Sequence, residues 1–351
     1  MLNGTSTISI CERKIGPESP SFIIAEVAQA HDGSLGTAHA YIDAVAAAGA
    51  DAVKFQTHIA DAESTPLERF RVSGFPQDAT RYEYWKRMEF SPDQWAELAK
   101  HAKERGLIFL STPFSLEAVK LLDDLGVPGW KIGSGEITFN RLLRAVAETQ
   151  RPIMLSSGMA SWAEIDAAVT IFREKGAPFG VFQCTTAYPC PAESIGLNVL
   201  HEIRERYGCP VGLSDHSGTI FPSIAAAVLG ADFLEVHVVF SRDCFGPDVN
   251  ASVLTSELPE LVRGVRFVET CLRNPVVKDR FSRSSEDLRG LFGRSLVAAS
   301  DLRKGTRLTS AHFALKKPGG GIPEERLDDF LGRRLIRDRE KNDLFEEQDF
   351  E

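Results

Sequence analysis

No segment of this 351-residue sequence stays apolar for the ~20 residues that a membrane-spanning helix needs. The chain starts Met-Leu-Asn-Gly-Thr, with no basic stretch leading into an apolar one, so neither a secretory leader nor a membrane anchor is expected. Six cysteines, Cys11, Cys184, Cys190, Cys209, Cys244 and Cys271, form no CxxC pair and no dense framework. That excludes a zinc knuckle and a disulfide-stapled scaffold, and it leaves reduced thiols of the kind found in the cytoplasm. Positive charge is also short, with 40 Lys and Arg against 49 Asp and Glu and a formal net charge of −9. Such a surface does not displace counterions from a nucleic-acid backbone, although a local pocket can still bind a small anion. Neither a Gly-x-x-x-x-Gly-Lys-Ser/Thr loop nor a Gly-x-Gly-x-x-Gly motif occurs, which removes support for nucleotide hydrolysis and dinucleotide binding.

What is present is an ordinary core-forming composition, 43% apolar and 25% charged, in a chain long enough for a barrel of about 250 residues plus a small appendage. Short apolar runs alternate with helical patterns: Phe22 to Ala28, Ala52 to Thr57, Leu107 to Thr112, Gly129 to Gly133, Pro152 to Ser157, Gly180 to Thr185, Pro210 to Ser214 and Phe233 to Val238. Near-continuous apolarity in strands separated by helices is what a parallel sheet covered on both faces requires, and eight such units predict a closed (β/α)8 TIM barrel. Helix boundaries agree. Ser91-Pro92-Asp93-Gln94 and Ser161-Trp162-Ala163-Glu164 read as capping boxes, and Gly49 and Gly230 stand where helices stop.

Three regions lie outside that repeat. Ser6 to Pro20 reads as a hairpin able to plug the barrel floor. The segment from His58 to about Phe90, with Pro66, Gly74, Pro76, Tyr82, Tyr84 and Trp85, is too long for a simple connection and is either a lid over the catalytic face or a surface excursion with local helix. The barrel with its hairpin is assigned to residues 1–275 and a polar, basic linker, with Ser282, Ser284 and Ser285, to 276–291. A small domain covers 292–351, where Gly293-Arg294-Ser295-Leu296, Lys304-Gly305-Thr306 and Phe313 recur as Gly332-Arg333-Arg334-Leu335, Lys341-Asn342-Asp343 and Phe350. Gly305 and Asn342 both tolerate positive φ, so the two halves can turn alike.

In such a barrel the C-terminal strand ends face the active site, so polar residues there are informative. They are Glu26, Lys54, Gln56, Thr112, Lys131, Ser134, Glu136, Ser156, Ser157, Thr186, Tyr188, Ser214, Asp215, His216, Glu235 and His237. Two lysines, several hydroxyls and Gly133, Gly135 and Gly158 suit an anion with many oxygens, a phosphate above all. His216 and His237 end neighbouring strands and can reach one divalent cation, Mn²⁺, Mg²⁺ or Zn²⁺. The other histidines, His31, His39, His58, His101, His201 and His312, are read as structural.

The motifs Glu26 with Ala30-His31-Asp32-Gly33-Ser34, Lys54-Phe55-Gln56, Ser111-Thr112-Pro113-Phe114, Lys131-Ile132-Gly133-Ser134-Gly135-Glu136 and Leu155-Ser156-Ser157-Gly158-Met159 appear in that order. Cys184-Thr185-Thr186-Ala187-Tyr188-Pro189, Gly212-Leu213-Ser214-Asp215-His216 and Gly246-Pro247-Asp248 follow them. Together this series resembles the sialic acid synthase family over nearly the whole chain. Lys316-Lys317-Pro318-Gly319 with the half-repeat resembles that family's antifreeze-protein-like (SAF) domain, which caps the partner's site in a swapped homodimer.

The resemblance implies condensation of phosphoenolpyruvate with an open-chain amino-sugar aldehyde, aided by a divalent metal, with Mn²⁺ or Mg²⁺ favoured. It implies that Thr112, Lys131, Ser134, Ser156 and Ser214 hold phosphoenolpyruvate and that His216 and His237 hold the metal. Glu26, Lys54, Gln56, Glu136, Thr186, Tyr188 and Asp248 would surround the sugar and reacting carbons, with the metal or Glu26 guiding the attacking water, and Lys317 would reach the sugar's acyl group. Four positions depart from the family: Ala30 replaces Asn, Thr186 replaces Asn or Ser, Val236 replaces a basic residue and Lys317 replaces Arg. An ammonium lacks the forked donors of a guanidinium, so a diacetamido trideoxyhexose competes with N-acetylmannosamine as acceptor. The rival readings are a 3-deoxy-octulosonate or 3-deoxy-heptulosonate phosphate synthase and a non-catalytic sugar-binding relative.

Overall fold

The computed structural model describes residues 7–72, 77–283 and 286–351, which divide into two compact units, 1–273 and 274–351. The starting pentapeptide, Gly74, Pro76, Ser284 and Ser285, all used in the sequence reading, lie outside the described residues.

In the first unit a two-stranded hairpin, β1 (Ile8–Ile10) and β2 (Arg13–Ile15), precedes eight parallel strands. These are β3 (Phe22–Ala28), β4 (Ala52–Thr57), β5 (Ile108–Pro113), β6 (Trp130–Ile132), β7 (Ile153–Ser156), β8 (Phe179–Cys184), β9 (Val211–Asp215) and β10 (Phe233–Val239). The ladder runs β5-β4-β3-β10-β9-β8-β7-β6, and β5 and β6 lie side by side to close the cylinder, so the expected (β/α)8 barrel is what forms. A short β11 (Val253–Leu254) adds to β10 in parallel.

Helices cover the outside for the reasons their sequences give. Helix α1 (Leu35–Ala48) ends on Gly49 at φ 79°. After α2 (Ala60–Glu63) and α3 (Arg81–Met88) comes α4 (Pro92–Glu104), which opens on the Ser91/Gln94 capping box with Pro92 in its first turn and buries Trp95, Leu98 and Ala102 on one face. Helices α5 (Leu116–Leu125) and α6 (Asn140–Glu148) follow, and α7 (Trp162–Lys175) uses the Ser161/Glu164 box and stops on Gly176 at φ 67°. Then come α8 (Val199–Tyr207), α9 (Phe221–Val228) and α10 (Leu258–Arg273).

The barrel has two apolar layers, sorted by the two-residue period of its strands. Ile23, Ala25, Val53, Phe55, Phe109, Ile132, Leu155, Val181, Leu213, Leu234 and Val236 face the helices. Phe22, Ile24, Ala52, Leu110, Met154, Phe182 and Phe233 face inward and close over Ile8, Ile10 and Ile15 of the hairpin, which forms the expected plug. Gly212 makes room for this layer, since a Cβ there would stand 2.6 Å from that of Phe233.

In the second unit, the stretch read as a linker carries two helices, α11 (Lys278–Arg283) and α12 (Glu286–Phe292). Polar, basic composition marked that segment as solvent-facing, which a short surface helix satisfies as well as a coil does. Beyond it β12 (Ser295–Ala298) pairs antiparallel with β13 (Phe313–Lys316). Leu296, Leu302, Leu308, Ile322, Phe330, Leu335, Phe345 and Phe350 form the core. Leu302 and Arg339 exchange N–H···O bonds of 2.7 and 2.8 Å, and the bond from Gly305 N to Leu335 O is mirrored by that from Asn342 N to Ala298 O. The two halves are thus related by an approximate two-fold axis, with Gly305 at φ 87° and Asn342 at φ 77° in equivalent turns. Ala298, rather than Leu296, is the structural counterpart of Leu335, so the Gly-Arg match slides by two residues.

Candidate active site

The same period that builds the apolar floor builds the mouth. Two residues further along the inward face of each strand, Ile24 gives way to Glu26, Ala52 to Lys54, Leu110 to Thr112, Met154 to Ser156, Phe182 to Cys184, Gly212 to Ser214 and Phe233 to Glu235. One more step brings Gln56, His216 and His237. The register places Glu26 beside Lys54 and His237, and Ser214 beside both Cys184 and Glu235.

These side chains line a cavity of about 370 Å³. At its base Glu235 lies between two ammonium groups, with Oε1 2.9 Å from Lys131 Nζ and 3.7 Å from Lys54 Nζ, and it also accepts from Ser214 Oγ at 3.2 Å. Burial alone would raise the Glu235 carboxyl, but Lys131 and then Lys54 outweigh that and hold it well below the usual range. Lys54, though burial opposes its charge, is kept an ammonium by Glu235 and Glu26, and it donates to Thr112 Oγ1 at 3.0 Å.

Glu136 follows β6 on the cavity wall. Burial, and next the negative charge of Glu63, push its carboxyl up to about 7, so it exchanges a proton near neutrality. Ser134 donates to Cys184 Sγ at 3.7 Å. A Cβ on Gly158 would collide with the hydroxyls of Ser134 and Thr186, which shows how closely the loops after β6, β7 and β8 approach.

His216 and His237 face each other with ring centroids 5.3 Å apart, and Tyr188 stacks on His216 at 4.1 Å. His216 Nδ1 is 2.9 Å from the Thr185 carbonyl, so it carries the hydrogen and leaves Nε2 bare. Burial and then His237 push His216 down to about 3, which keeps it in the neutral form that a cation needs. His237 Nδ1 is buried without a hydrogen-bond partner, 3.8 Å from Asp248 Oδ2. The pair fits a divalent cation as a two-nitrogen donor set. Among the described residues no His, Cys, Asp or Glu completes a cluster of three, so oxygens of substrate or water would fill the other positions.

The segment after β4 settles the choice between lid and surface excursion. Glu63, Glu68, Phe70, Arg71, Val72, Arg81, Tyr84 and Trp85 all line the cavity, so the segment folds over the mouth. Arg71 lies 3.9 Å over the Tyr188 ring and pairs with Asp248 Oδ1 at 2.5 Å. His58, read as structural, lines the cavity too, stacked between Trp85 and Phe114.

The structure brings Lys54, Gln56, Thr112, Lys131, Ser134, Glu136, Ser156, Thr186, Tyr188, Ser214, His216, His237 and Asp248 to this one cavity. One expected residue of the first unit is not on its wall. Glu26 is fully buried behind it, with Oε1 accepting from Gln56 at 3.0 Å and Oε2 against Lys54. Glu26 thus meets the cavity through Gln56 and Lys54, both of which line it. Lys317 belongs to the second unit, with its ammonium 5.5 Å from the Phe292 ring centre. Asp215, named with the polar strand ends, instead accepts from Ser217 N and Oγ and braces the loop after β9. The sequence reading passed over Gln29, Glu63 and Arg71, and it named Trp85 only within the possible lid and Cys184 only within a motif, without a site role. Cys184 alone had a local signal, being the inward residue at the end of β8.

An eight-stranded barrel whose mouth gathers buried lysines, hydroxyls and paired imidazoles in one cavity has the build of an enzyme active site suited to an oxygen-rich anion. The NeuB family model matches residues 41–276 and the SAF domain model residues 293–351. The chain is 33% identical to the N,N'-diacetyllegionaminic acid synthase of Campylobacter jejuni, covering 93% of this chain and 99% of that one. It is 34% identical to the human N-acetylneuraminate-9-phosphate synthase, over 96% and 94%. Among solved structures, the N-acetylneuraminic acid synthetase of Leptospira borgpetersenii in complex with citrate superposes with a TM-score of 0.72 at 30% identity, covering 82% of this chain and 98% of that one. The chain belongs to the NeuB family and is a synthase of the sialic acid synthase type. No described helix is long and apolar enough to cross a membrane.

Proposed function

We propose that this chain joins phosphoenolpyruvate to the open-chain aldehyde of an N-acylated amino sugar, giving a nonulosonic acid and inorganic phosphate. The observation that carries this reading is the pair of buried ammonium groups, Lys54 and Lys131, sharing Glu235 at the same mouth as His216 and His237. Charge already stripped of water and held in place binds an anion without further reorganisation.

In the reaction, C3 of phosphoenolpyruvate attacks the aldehyde carbon, water adds at C2, and the C2–O bond breaks so that phosphate leaves and C2 becomes the keto carbon. Lys131, Thr112, Ser134, Ser156 and Ser214 hold the phosphate and carboxylate, while Lys54, Gln56, Thr186, Tyr188 and Asp248 surround the acceptor. Glu136, poised near neutrality, gives a proton to the aldehyde oxygen as the C–C bond forms and regains one from the water added at C2. A divalent cation, Mn²⁺ or Mg²⁺, held by His216 and His237 would supply Lewis-acid polarisation of the aldehyde carbonyl.

The acceptor we favour is an N-acetylmannosamine-like or diacetamido sugar, recognised in part by Lys317 in a cytoplasmic homodimer whose SAF domains cover the partners' barrels. Support for association comes from Phe221, Phe267, Leu272, Phe281 and Phe292, which stand exposed on the single chain. Light scattering on the eluting protein measures the oligomeric state.

The decisive experiment supplies phosphoenolpyruvate and Mn²⁺ or Mg²⁺ with free mannosamine derivatives, diacetamido hexoses and phosphorylated aldoses, scored by phosphate release and product mass. Release with free amino sugars, lost in EDTA and restored by either ion, is expected. Turnover of phosphorylated aldoses alone would establish the phosphate-synthase rival, and no turnover at all the sugar-binding one.

A further inference from the structure

The imidazole of His58 is clamped between Trp85 and Phe114, with ring centroids at 3.9 and 4.4 Å and interplanar angles of 16° and 12°, so its ring plane is fixed. Its two nitrogens therefore point along set directions. Nδ1 lies 2.5 Å from Glu63 Oε1 of α2, and Nε2 lies 2.8 Å from the Gln29 amide nitrogen and 3.2 Å from Gln56 Oε1.

A carboxylate can only accept, so the hydrogen of a neutral His58 sits on Nδ1, and Nε2 is left to accept from Gln29. The other Gln29 amide hydrogen goes to Gln56 Oε1, which leaves the Gln56 amide nitrogen to donate to Glu26 Oε1 at 3.0 Å. Glu26 Oε2 then faces Lys54 Nζ. The Gln29 amide donates to both His58 Nε2 and Gln56 Oε1, so those two acceptors, 3.2 Å apart, share a donor and not a bond of their own, and turning either amide would set oxygen against oxygen or N–H against N–H. Gln29, His58, Glu26 and Lys54 are buried, so water is poorly placed to repair such a fault.

We infer that Glu63 and His58 are positioning residues: from the lid they fix the proton order of a hydrogen-bond chain that turns the Gln56 amide nitrogen toward Glu26 and sets Glu26 against Lys54. The inference rests on the proposed condensation for the role of Lys54, while the proton order itself is a property of the chain at rest. With His58 absent, Gln29 and Gln56 are free to turn, and Glu26 loses the fixed amide donor that holds it against Lys54.

Two measurements test this. Imidazole ¹⁵N shifts, with His58 assigned by its loss in His58→Phe, should show the Nδ1–H tautomer in the wild type and a gain of Nε2–H in Glu63→Gln, whose amide can donate. In turnover, His58→Phe keeps the aromatic stack but removes the acceptor. Its kcat should fall about 10-fold or more, while the Kd for phosphoenolpyruvate stays within about 3-fold. His58→Gln, which returns an amide oxygen near the place of Nε2, should recover most of the loss. An Nε2–H tautomer in the wild type, or a His58→Gln no better than His58→Phe, would each overturn the assignment. Absence of wild-type turnover would strike the condensation reading instead, and the tautomer would still decide this one.

Discussion

The floor and the mouth of the barrel are built by the same strands, two residues apart, and they solve opposite problems. At the floor Phe22, Ile24, Phe182 and Phe233 close over three isoleucines of the hairpin, and removing their surface from water stabilises the fold. At the mouth the same inward positions bury Glu26, Lys54, Lys131 and Glu235, whose desolvation is costly and is offset only by their mutual pairing. Stability and chemistry are thus segregated along the strand axis, and substitutions can separate them.

The largest effect is expected at the mouth. Lys131→Met should lower kcat/KM by roughly 1000-fold, about 4 kcal/mol in transition-state terms, and should leave Glu235 with Lys54 as its remaining close cation. Pairing it with Glu235→Leu removes the orphaned charge as well. That double variant should be as inactive as the single one yet recover or exceed wild-type Tm, because an apolar pair of similar volume avoids the desolvation cost. A double variant less stable than Lys131→Met would show that the buried charges stabilise the barrel outright.

At the floor the balance reverses. Phe233→Ala, whose ring sits 5.1 Å from that of Phe182, should cost about 3 kcal/mol in chemical denaturation while kcat of the folded enzyme at low temperature changes less than 3-fold. A large loss of kcat at unchanged stability would mean that the floor sets the geometry of the mouth.

This segregation also explains what could be read from the sequence. The floor and the outer layer announce themselves as apolar runs, and the mouth appears as polar residues interrupting those runs at strand ends, so Lys54, Lys131, Ser214, His216 and His237 were legible. Glu235 was visible as a polar strand end, yet its place between two lysines depends on which strands become neighbours across the cylinder. The lid was a different case. His58, Glu63 and Arg71 sit in a segment with no sustained period, and only its return over the mouth brings them to the cavity. For Glu26 the strand position was legible, but not its pairing with Gln56 and Lys54, which depends on the register between neighbouring strands.

Glu136 sits between the two regimes, partly shielded by the wall and facing the like charge of Glu63. Its carboxyl is raised from about 4.5 to about 7, so the folded state holds a proton that the unfolded chain releases earlier. Its contribution to stability is complete below pH ~4.5 and is lost as pH rises through 7. Glu136→Gln should therefore match the wild type at pH 4.5 and exceed it by about 2 kcal/mol at pH 8, while the break near pH 7 in the kcat/KM profile disappears. Equal stability at both pH values would mean that the cavity solvates this carboxylate well.

The smallest effect is expected in the second unit, at a turn where backbone shape dominates. Asn342 holds φ 77° in the turn equivalent to that of Gly305, and its Oδ1 accepts from Lys316 Nζ at 2.5 Å. Asn342→Ala must keep the left-handed backbone with a side chain that disfavours it, and should cost about 1 kcal/mol. Asn342→Gly loses the exposed side-chain bond but gains backbone freedom to adopt that φ, and should stay within about 0.5 kcal/mol of the wild type. If Ala proved the milder of the two, the Lys316 contact rather than the turn would be what the asparagine supplies, and the likeness of the two half-repeats at this point would be one of sequence without a shared backbone requirement.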